Sequence, residues 1–320
     1  MNSVSCVSFN QNEQTSTVKP KITVGFCVRN CEASIEEAFN SILAQDYSHK
    51  FMELIFVDDG SEDNTNSIVC QLASTTSVPL RVYHTVWGGI GHARNIVLAN
   101  AKGQYIVWVD GDMVLSTDYI AKLVELMDSN PDLGIAKGKQ SLEQVGNKIA
   151  VLETYARAAS RMVDYRSERA RLKSLGTGGS IYRIEALSQA GYFDENLRGY
   201  GEDQDIEIRI RKLGWKLATV NAVFQDYERF GLTLRSLNKR YYNRGYCTHY
   251  FLHKNPDAVK LYNMLPHAIF IAALFQSQKL FKITNSRTVF LLPFHNVLKM
   301  FAWYLGFVNS HYNSYAPEPN

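Results

Sequence analysis

Nothing in this sequence marks a disulfide framework or a zinc site: its five cysteines, Cys6, Cys27, Cys31, Cys70 and Cys247, are odd in number and form no C-x-x-C pair. A reducing, cytoplasmic setting is the expectation. A surplus of one charge is missing too. Lysine plus arginine number 34 against 31 aspartates plus glutamates, and the net charge of +3 excludes a general nucleic-acid binder. Residues 1–19 lack a basic start followed by an apolar run, so they do not read as a secretion signal; rich in Ser, Asn, Gln and Thr, they are expected to be a disordered tail. No G-x-x-x-x-G-K-[ST] loop is present, and Gly88-Gly89-Ile90-Gly91 does not complete a dinucleotide fingerprint. Backbone amides are therefore not set up to cradle phosphates, and a cation must neutralise them instead.

What is present is alternation. Residues 22–28 form a short β-branched run, followed by a helical stretch that opens at Ser34 with Glu37 three residues later, the spacing of a capping box. Ile35, Phe39, Ile42 and Leu43 recur at helical spacing. The pattern repeats with strands over 52–57, 80–84 and 105–109 and helices over 64–73 and 91–101. Strand then helix, repeated, predicts an α/β fold with a mostly parallel sheet flanked by helices, and in such sheets ligands bind beyond the carboxyl ends of the strands. Helices over 117–129 and 151–171, a glycine-rich turn at 176–179 and a helix from Glu202 follow.

Acid pairs fall on the predicted ligand edge: Asp58-Asp59-Gly60-Ser61 after the second strand and Asp110-Gly111-Asp112 after a later one. Carboxylates there can hold Mg²⁺ or Mn²⁺, hard cations that prefer oxygen and use substrate oxygens to complete their shell. Asp205 with Arg209 and Glu207 with Arg211 stand at i, i+4 and read as surface ion pairs, with Ile206, Ile210 and Leu213 facing the core.

The segments VGFCVRNCEASIEEAFNSILAQDY, LIFVDDGSEDNT, GHARNIVLANAKGQYIVWVDGDMVL, GTGGSIYR and GYGEDQDIEIRIRKLGW resemble, in order and spacing, family 2 of the inverting nucleotide-sugar glycosyltransferases with the GT-A fold. The resemblance implies a catalytic domain over 20–230 that takes a sugar from a UDP- or GDP-linked donor. It places Val28, Asn30 and Glu32 at the base and ribose, Asp58 or Asp59 at the base edge, and Arg94 near the phosphates. Asp112 would coordinate the metal, Asp110 the ribose or the metal through water, and Gly178 and Gly179 would floor the sugar site. Asp203 of the Glu202-Asp203 pair would be the general base. Family members often carry a metal-binding histidine after the last sheet strand, where this chain offers Asp226 or Glu228. A nucleotidyltransferase and a non-catalytic sugar-nucleotide binder are the alternatives.

Residues 231–320 read as a helical extension. A basic, tyrosine-rich helix covers 232–252, and two interrupted apolar segments cover 264–281 and 288–308. In the second, Phe290, Phe294, Val297, Leu298, Phe301 and Leu305 form a helical stripe with Asn296 and Lys299 off it. A membrane surface ranks first as the partner of this stripe, ahead of a homodimer interface and of closure over the catalytic domain. The acceptor implied is a glycan or a polyprenyl phosphate, and the location the cytoplasm, peripheral at the cytoplasmic face of the membrane.

Overall fold

The structure is a computed structural model and describes residues 5–9, 19–162, 165, 173–226, 232–258, 264–313 and 315. The described chain opens with strand β1 (Ser5–Phe9), then β2 (Ile22–Val28), helix α1 (Ile35–Leu43), β3 (Met52–Asp59), α2 (Thr65–Thr75), β4 (Leu80–Thr85), α3 (Ile90–Asn100) and β5 (Tyr105–Val109). There follow β6 (Met113–Leu115), α4 (Tyr119–Ser129), β7 (Leu133–Gln140), α5 (Lys148–Arg161), β8 (Ser180–Arg183), α6 (Ile184–Ala190), α7 (Glu202–Lys212) and β9 (Lys216–Asp226). Three long helices close the molecule: α8 (Leu234–Lys254), α9 (Pro266–Thr284) and α10 (Leu292–Tyr312).

The strands form one mixed sheet in the order β1-β4-β3-β2-β5-β8-β7-β9-β6. Its centre, β4-β3-β2-β5, is parallel, as the alternation predicts. Strand side chains alternate between faces, so Val24, Phe26 and Phe56 join one core layer with Phe39 of α1. Ile55, Val57, Ile106 and Trp108 join the other, with Ile206 and Ile210 of α7. Parallel register aligns the carboxyl ends: Val28 stands opposite Asp58, and Phe26 opposite Val109.

Several expectations are corrected. Within the 1–19 tail, Ser5–Phe9 adds an antiparallel edge strand to β4. The Ser34 side chain makes no capping bond to α1; its hydroxyl instead donates to the Cys31 carbonyl at 3.4 Å. Of the helix expected over 151–171, the described part runs from Lys148 to Arg161, and residues 163–164 and 166–171 lie outside the described residues. Leu213 is 50% exposed, at the cap that follows the last residue of α7, Lys212. Asp205 and Glu207 are buried rather than on the surface.

The C-terminal helices pack against α5. Gly245 of α8 and Gly306 of α10 meet backbone to backbone: a Cβ on Gly245 would run into the Trp303 carbonyl, and one on Gly306 into that of Tyr242. Glu153 of α5 is fully buried and is bonded by Tyr241 Oη at 2.8 Å, His295 Nε2 at 3.0 Å and Lys299 Nζ at 2.8 Å. Burial alone would push its carboxyl up; Lys299, His295 and Arg244 outweigh it and hold the group well below the usual carboxylate range. This lock turns the polar side of α10 inward and leaves Phe294, Phe301 and Leu305 at 65%, 59% and 66% exposure. The stripe therefore does not close over the catalytic domain.

Candidate active site

The parallel strands end at a cleft of about 350 Å³ lined by Cys27, Val28, Arg29, Asn30, Asp59 and Trp87 among others. Of the first acid pair, Asp59 faces it. Its two oxygens accept from the Gly88 and Gly89 N–H groups at 2.8 and 3.0 Å. Burial pushes its carboxyl up from the usual range, and those two donors pull part of the way back. Asp58 is turned into the fold: it accepts from Ser61 N at 3.0 Å and lies 2.8 Å from His84 Nδ1. Asn30, at φ +50°, lines the cleft while its Oδ1 accepts from Glu62 N. Glu32 accepts from Asn64 N and Nδ2 at the start of α2, so it braces that loop.

Asp110 follows β5 at the floor of the same edge. Burial pushes its carboxyl up, Arg94 opposes the rise, and Asp226 adds to it. Asp226 is nearby because β6 pairs antiparallel with β9, with Met113 opposite Asp226. That pairing brings the turn carrying Asp110 and Asp112 beside the end of the last strand. Glu228 lies outside the described residues. Among the described residues no group of three His, Cys, Asp or Glu side chains already forms a metal cage. Asp110, whose proton affinity Asp226 raises, stands with Asp112 in one turn, and oxygen donors of this kind suit a hard divalent cation once a substrate supplies further oxygens. Asp226 also pairs with Arg157 Nη1 at 2.8 Å.

Gly178 and Gly179 lie behind Asp110. A Cβ on Gly178 would stand 2.9 Å from Asp110 Cγ and overlap its Oδ2. Gly179, at φ +74°, donates its N–H to the Trp108 carbonyl at 2.7 Å. Gly176 closes the turn, with a Cβ there 3.4 Å from Asp203 Oδ2, 3.5 Å from Arg161 Nη2 and 3.7 Å from Lys137 Nζ. The turn thus joins the Asp110 floor to Asp203.

Asp203 sits at the start of α7, partly exposed, with Oδ1 accepting from Gln204 N at 2.8 Å. Its neighbour Glu202 is buried and is paired with Arg94 Nη1 at 2.6 Å. Burial and then Asp203 push Glu202 up to about 7, against the pull of Arg94. Arg94 is itself 5% exposed and packed against Trp108 and Phe193, so its guanidinium anchors the acidic pair rather than opening toward the cleft. Asn95 continues the bracing through the Phe193 backbone.

Sequence reasoning missed the cations on this edge. Lys137 is buried in β7 and donates to the carbonyls of Leu175 and Gly176 at 2.9 and 3.2 Å. Burial and then Arg161 push it well below the usual lysine range. Arg157 and Arg161, one helical turn apart on α5, carried the available signal: a charged i, i+4 pair on a helix reaching the sheet edge. Glu207, expected on the surface with Arg211, instead accepts from Leu175 N, Gly176 N and Ser174 Oγ at 2.9, 2.8 and 3.0 Å. A carboxylate satisfying two backbone amides holds the glycine turn in place.

Comparison with known proteins identifies the family and the fold. Residues 23–187 match the family described as Glycosyl transferase family 2. An uncharacterized glycosyltransferase of Rickettsia typhi, RT0329, is 27% identical over 216 residues, 67% of this chain and 63% of that protein. The chain thus spans under two thirds of that curated relative's length. Among solved structures, the mannosyltransferase PcManGT from Pyrobaculum calidifontis, in complex with GDP-Man and Mn²⁺, superposes with a TM-score of 0.60 at 21% identity, over 89% of this chain and 87% of that one. TarS 1–349 of S. aureus, in complex with UDP-GlcNAc, gives 0.52 at 19% identity, over 91% and 92%. These likenesses show the GT-A fold. With the fold, the acid-lined strand ends and a family match over half of its length, this chain belongs to glycosyl transferase family 2.

Proposed function

We propose that the chain performs inverting transfer of a sugar from a UDP- or GDP-linked donor to a hydroxyl of a glycan acceptor or to a polyprenyl phosphate, in the cytoplasm. The observation that carries this reading is the meeting of a cleft bordered by Val28, Asn30 and Asp59 with Asp110 and, across the Gly176–Gly178 turn, Asp203. The donors held by the solved relatives, GDP-Man and UDP-GlcNAc, support the donor class.

In this reading the base and ribose occupy the cleft and the diphosphate lies over Asp110, Asp112 and Asp226. Asp110, Asp112 and Asp226 would hold Mg²⁺ or Mn²⁺, and the ion would supply neutralisation of the leaving group's charge. Asp203, whose Oδ1 takes the Gln204 N–H and whose Oδ2 faces Gly176, accepts the acceptor's hydroxyl proton. The freed oxygen forms a bond to the anomeric carbon from the face opposite the diphosphate, the bond to the β-phosphate oxygen breaks, and the nucleoside diphosphate leaves. A phosphate acceptor arrives already ionised and needs no proton acceptor. Arg94 and Glu202 hold Asp203 in position and exclude water beneath it.

Asp203→Asn tests the assignment. It should retain donor binding, read as a thermal shift with UDP- and GDP-sugars, and lose transfer and donor hydrolysis by roughly 10²–10⁴-fold. Wild-type turnover in that variant would remove Asp203 from the mechanism.

A further inference from the structure

The polarity of the two C-terminal helices is inverted. On α10, Phe294, Leu298, Phe301, Leu305 and Val308 follow one helical stripe that Leu291 at its N-cap extends, and all are exposed. The opposite side carries His295 and Lys299, buried on Glu153. On α9, Ile271, Phe275, Lys279 and Lys282 share a second exposed stripe at i, i+4, i+8 and i+11. The two helices adjoin beside the stripes: Phe294 packs edge-on against Phe270 of α9 at 5.4 Å, and Phe290, just before α10, packs tilted against Phe281 of α9 at 5.2 Å. The Gly245–Gly306 contact fixes α10 to α8, so the face is held open rather than collapsed. An apolar face of this extent on a rigid support calls for a covering phase.

Charge selects the occupant. From residue 258 to 317 the sequence has no aspartate or glutamate, while Lys279, Lys282 and Arg287 stand exposed beside the apolar stripes. A second copy related by a twofold axis would set these cations against their own kind with no carboxylate to meet them. Lipid phosphates would meet them. No described helix is long and apolar enough to cross a membrane, which leaves an in-plane position for both helices.

We propose that the exposed stripes of α9 and α10 together dock the protein in the plane of a bilayer bearing anionic phosphate headgroups, apolar side chains in the acyl boundary and Lys279, Lys282 and Arg287 at the headgroups. The face stands on helices that supply none of the site carboxylates, so it is independent of the transfer reading.

Co-sedimentation of the full chain with vesicles tests this, using equal phosphatidylglycerol and phosphatidylcholine against phosphatidylcholine alone. The wild type should pellet with the anionic vesicles, and less so at high salt. Phe294→Ser/Phe301→Ser/Leu305→Ser should lower the partition coefficient roughly 100-fold or more while the chain stays folded by its melting curve, since the side chains removed are more exposed than covered. Lys279→Gln/Lys282→Gln should lower binding to anionic vesicles roughly tenfold and leave binding to neutral vesicles unaltered. Either variant binding like the wild type, or a wild type that stays in the supernatant at about 1 mM lipid, overturns the proposal. So does a lipid-free dimer that the serine variant converts to monomer, because a second copy would then be the occupant.

Discussion

Gly178→Ala separates the placement of the metal-site carboxylate from the stability of the fold. The added methyl would stand 2.9 Å from Asp110 Cγ, about 0.5 Å inside the 3.4 Å at which ordinary contact begins, and would overlap Oδ2 outright; Met113 Cε lies at 3.0 Å on another side. Asp110 is half-buried, and Gly178 and Met113 crowd it on one side while Arg94 and Lys137 act on its charge, so its carboxylate must shift to admit the methyl. Gly178 is not among the glycines with positive φ, so the alanine brings no backbone strain of its own. Overpacking of this kind costs about 1–3 kcal/mol, whereas a displacement near 1 Å at a reacting centre costs about 100-fold in rate. The variant should therefore remain folded at 25 °C, lose about 100-fold in turnover at saturating donor, and need more Mn²⁺ for half-maximal rate. Donor hydrolysis against Mn²⁺ concentration, alongside a urea unfolding curve, reads both quantities. Wild-type turnover and Mn²⁺ dependence in a folded Gly178→Ala would refute the placement of Asp110 in the site.

Arg94→Met removes the cation that holds Glu202 down. Folded Glu202 has its proton affinity raised to about 7, so the native state binds more protons than the unfolded chain between 4.5 and about 7, and this group's contribution to stability falls as pH rises through that window. Without Arg94 the rise is larger; the loss should be about 3–5 kcal/mol at pH 8 and clearly smaller at pH 5.5, where the orphaned carboxyl takes a proton, and equal losses by urea unfolding at both pH values would contradict it. Glu153→Ala should cost about 3–5 kcal/mol by stranding buried Lys299, while Glu153→Leu combined with Lys299→Met and His295→Leu should recover most of it in the same assay. Glu207→Ala leaves the Leu175 and Gly176 amides without their carboxylate and should cost about 2–3 kcal/mol, with a fall in turnover that follows the loosened glycine turn; an unchanged melting curve would argue against that role.

The centre of the fold is legible because its strands are β-branched runs of five to eight residues separated by amphipathic helices. Acid pairs at the ends of two such strands then fall on one edge by the rules of parallel sheets. The strands β6 and β8 escape because three or four residues carry no readable period, and β7 because Gly134, Lys137 and Gly138 interrupt its apolar pattern. Asp226 was a candidate by position; that it meets the Asp110–Asp112 turn depends on an antiparallel pairing between segments over a hundred residues apart. Arg94 looked available to phosphates in the sequence, and only packing under Trp108 and Phe193 assigns it to Glu202. The α10 stripe was visible as periodicity. Periodicity does not say which side of a helix faces inward, and here a buried carboxylate on α5 decides it.

Product analysis tests the central claim most directly. The full chain is incubated with Mn²⁺ and a panel of UDP- and GDP-sugars, and nucleoside diphosphate and pyrophosphate are quantified for the wild type and Asp112→Ala. Nucleoside diphosphate released from one donor, dependent on Mn²⁺ and lost in Asp112→Ala, is the predicted result. Pyrophosphate as the product, or diphosphate release that is the same in Asp112→Ala, would contradict sugar transfer at this cluster of carboxylates.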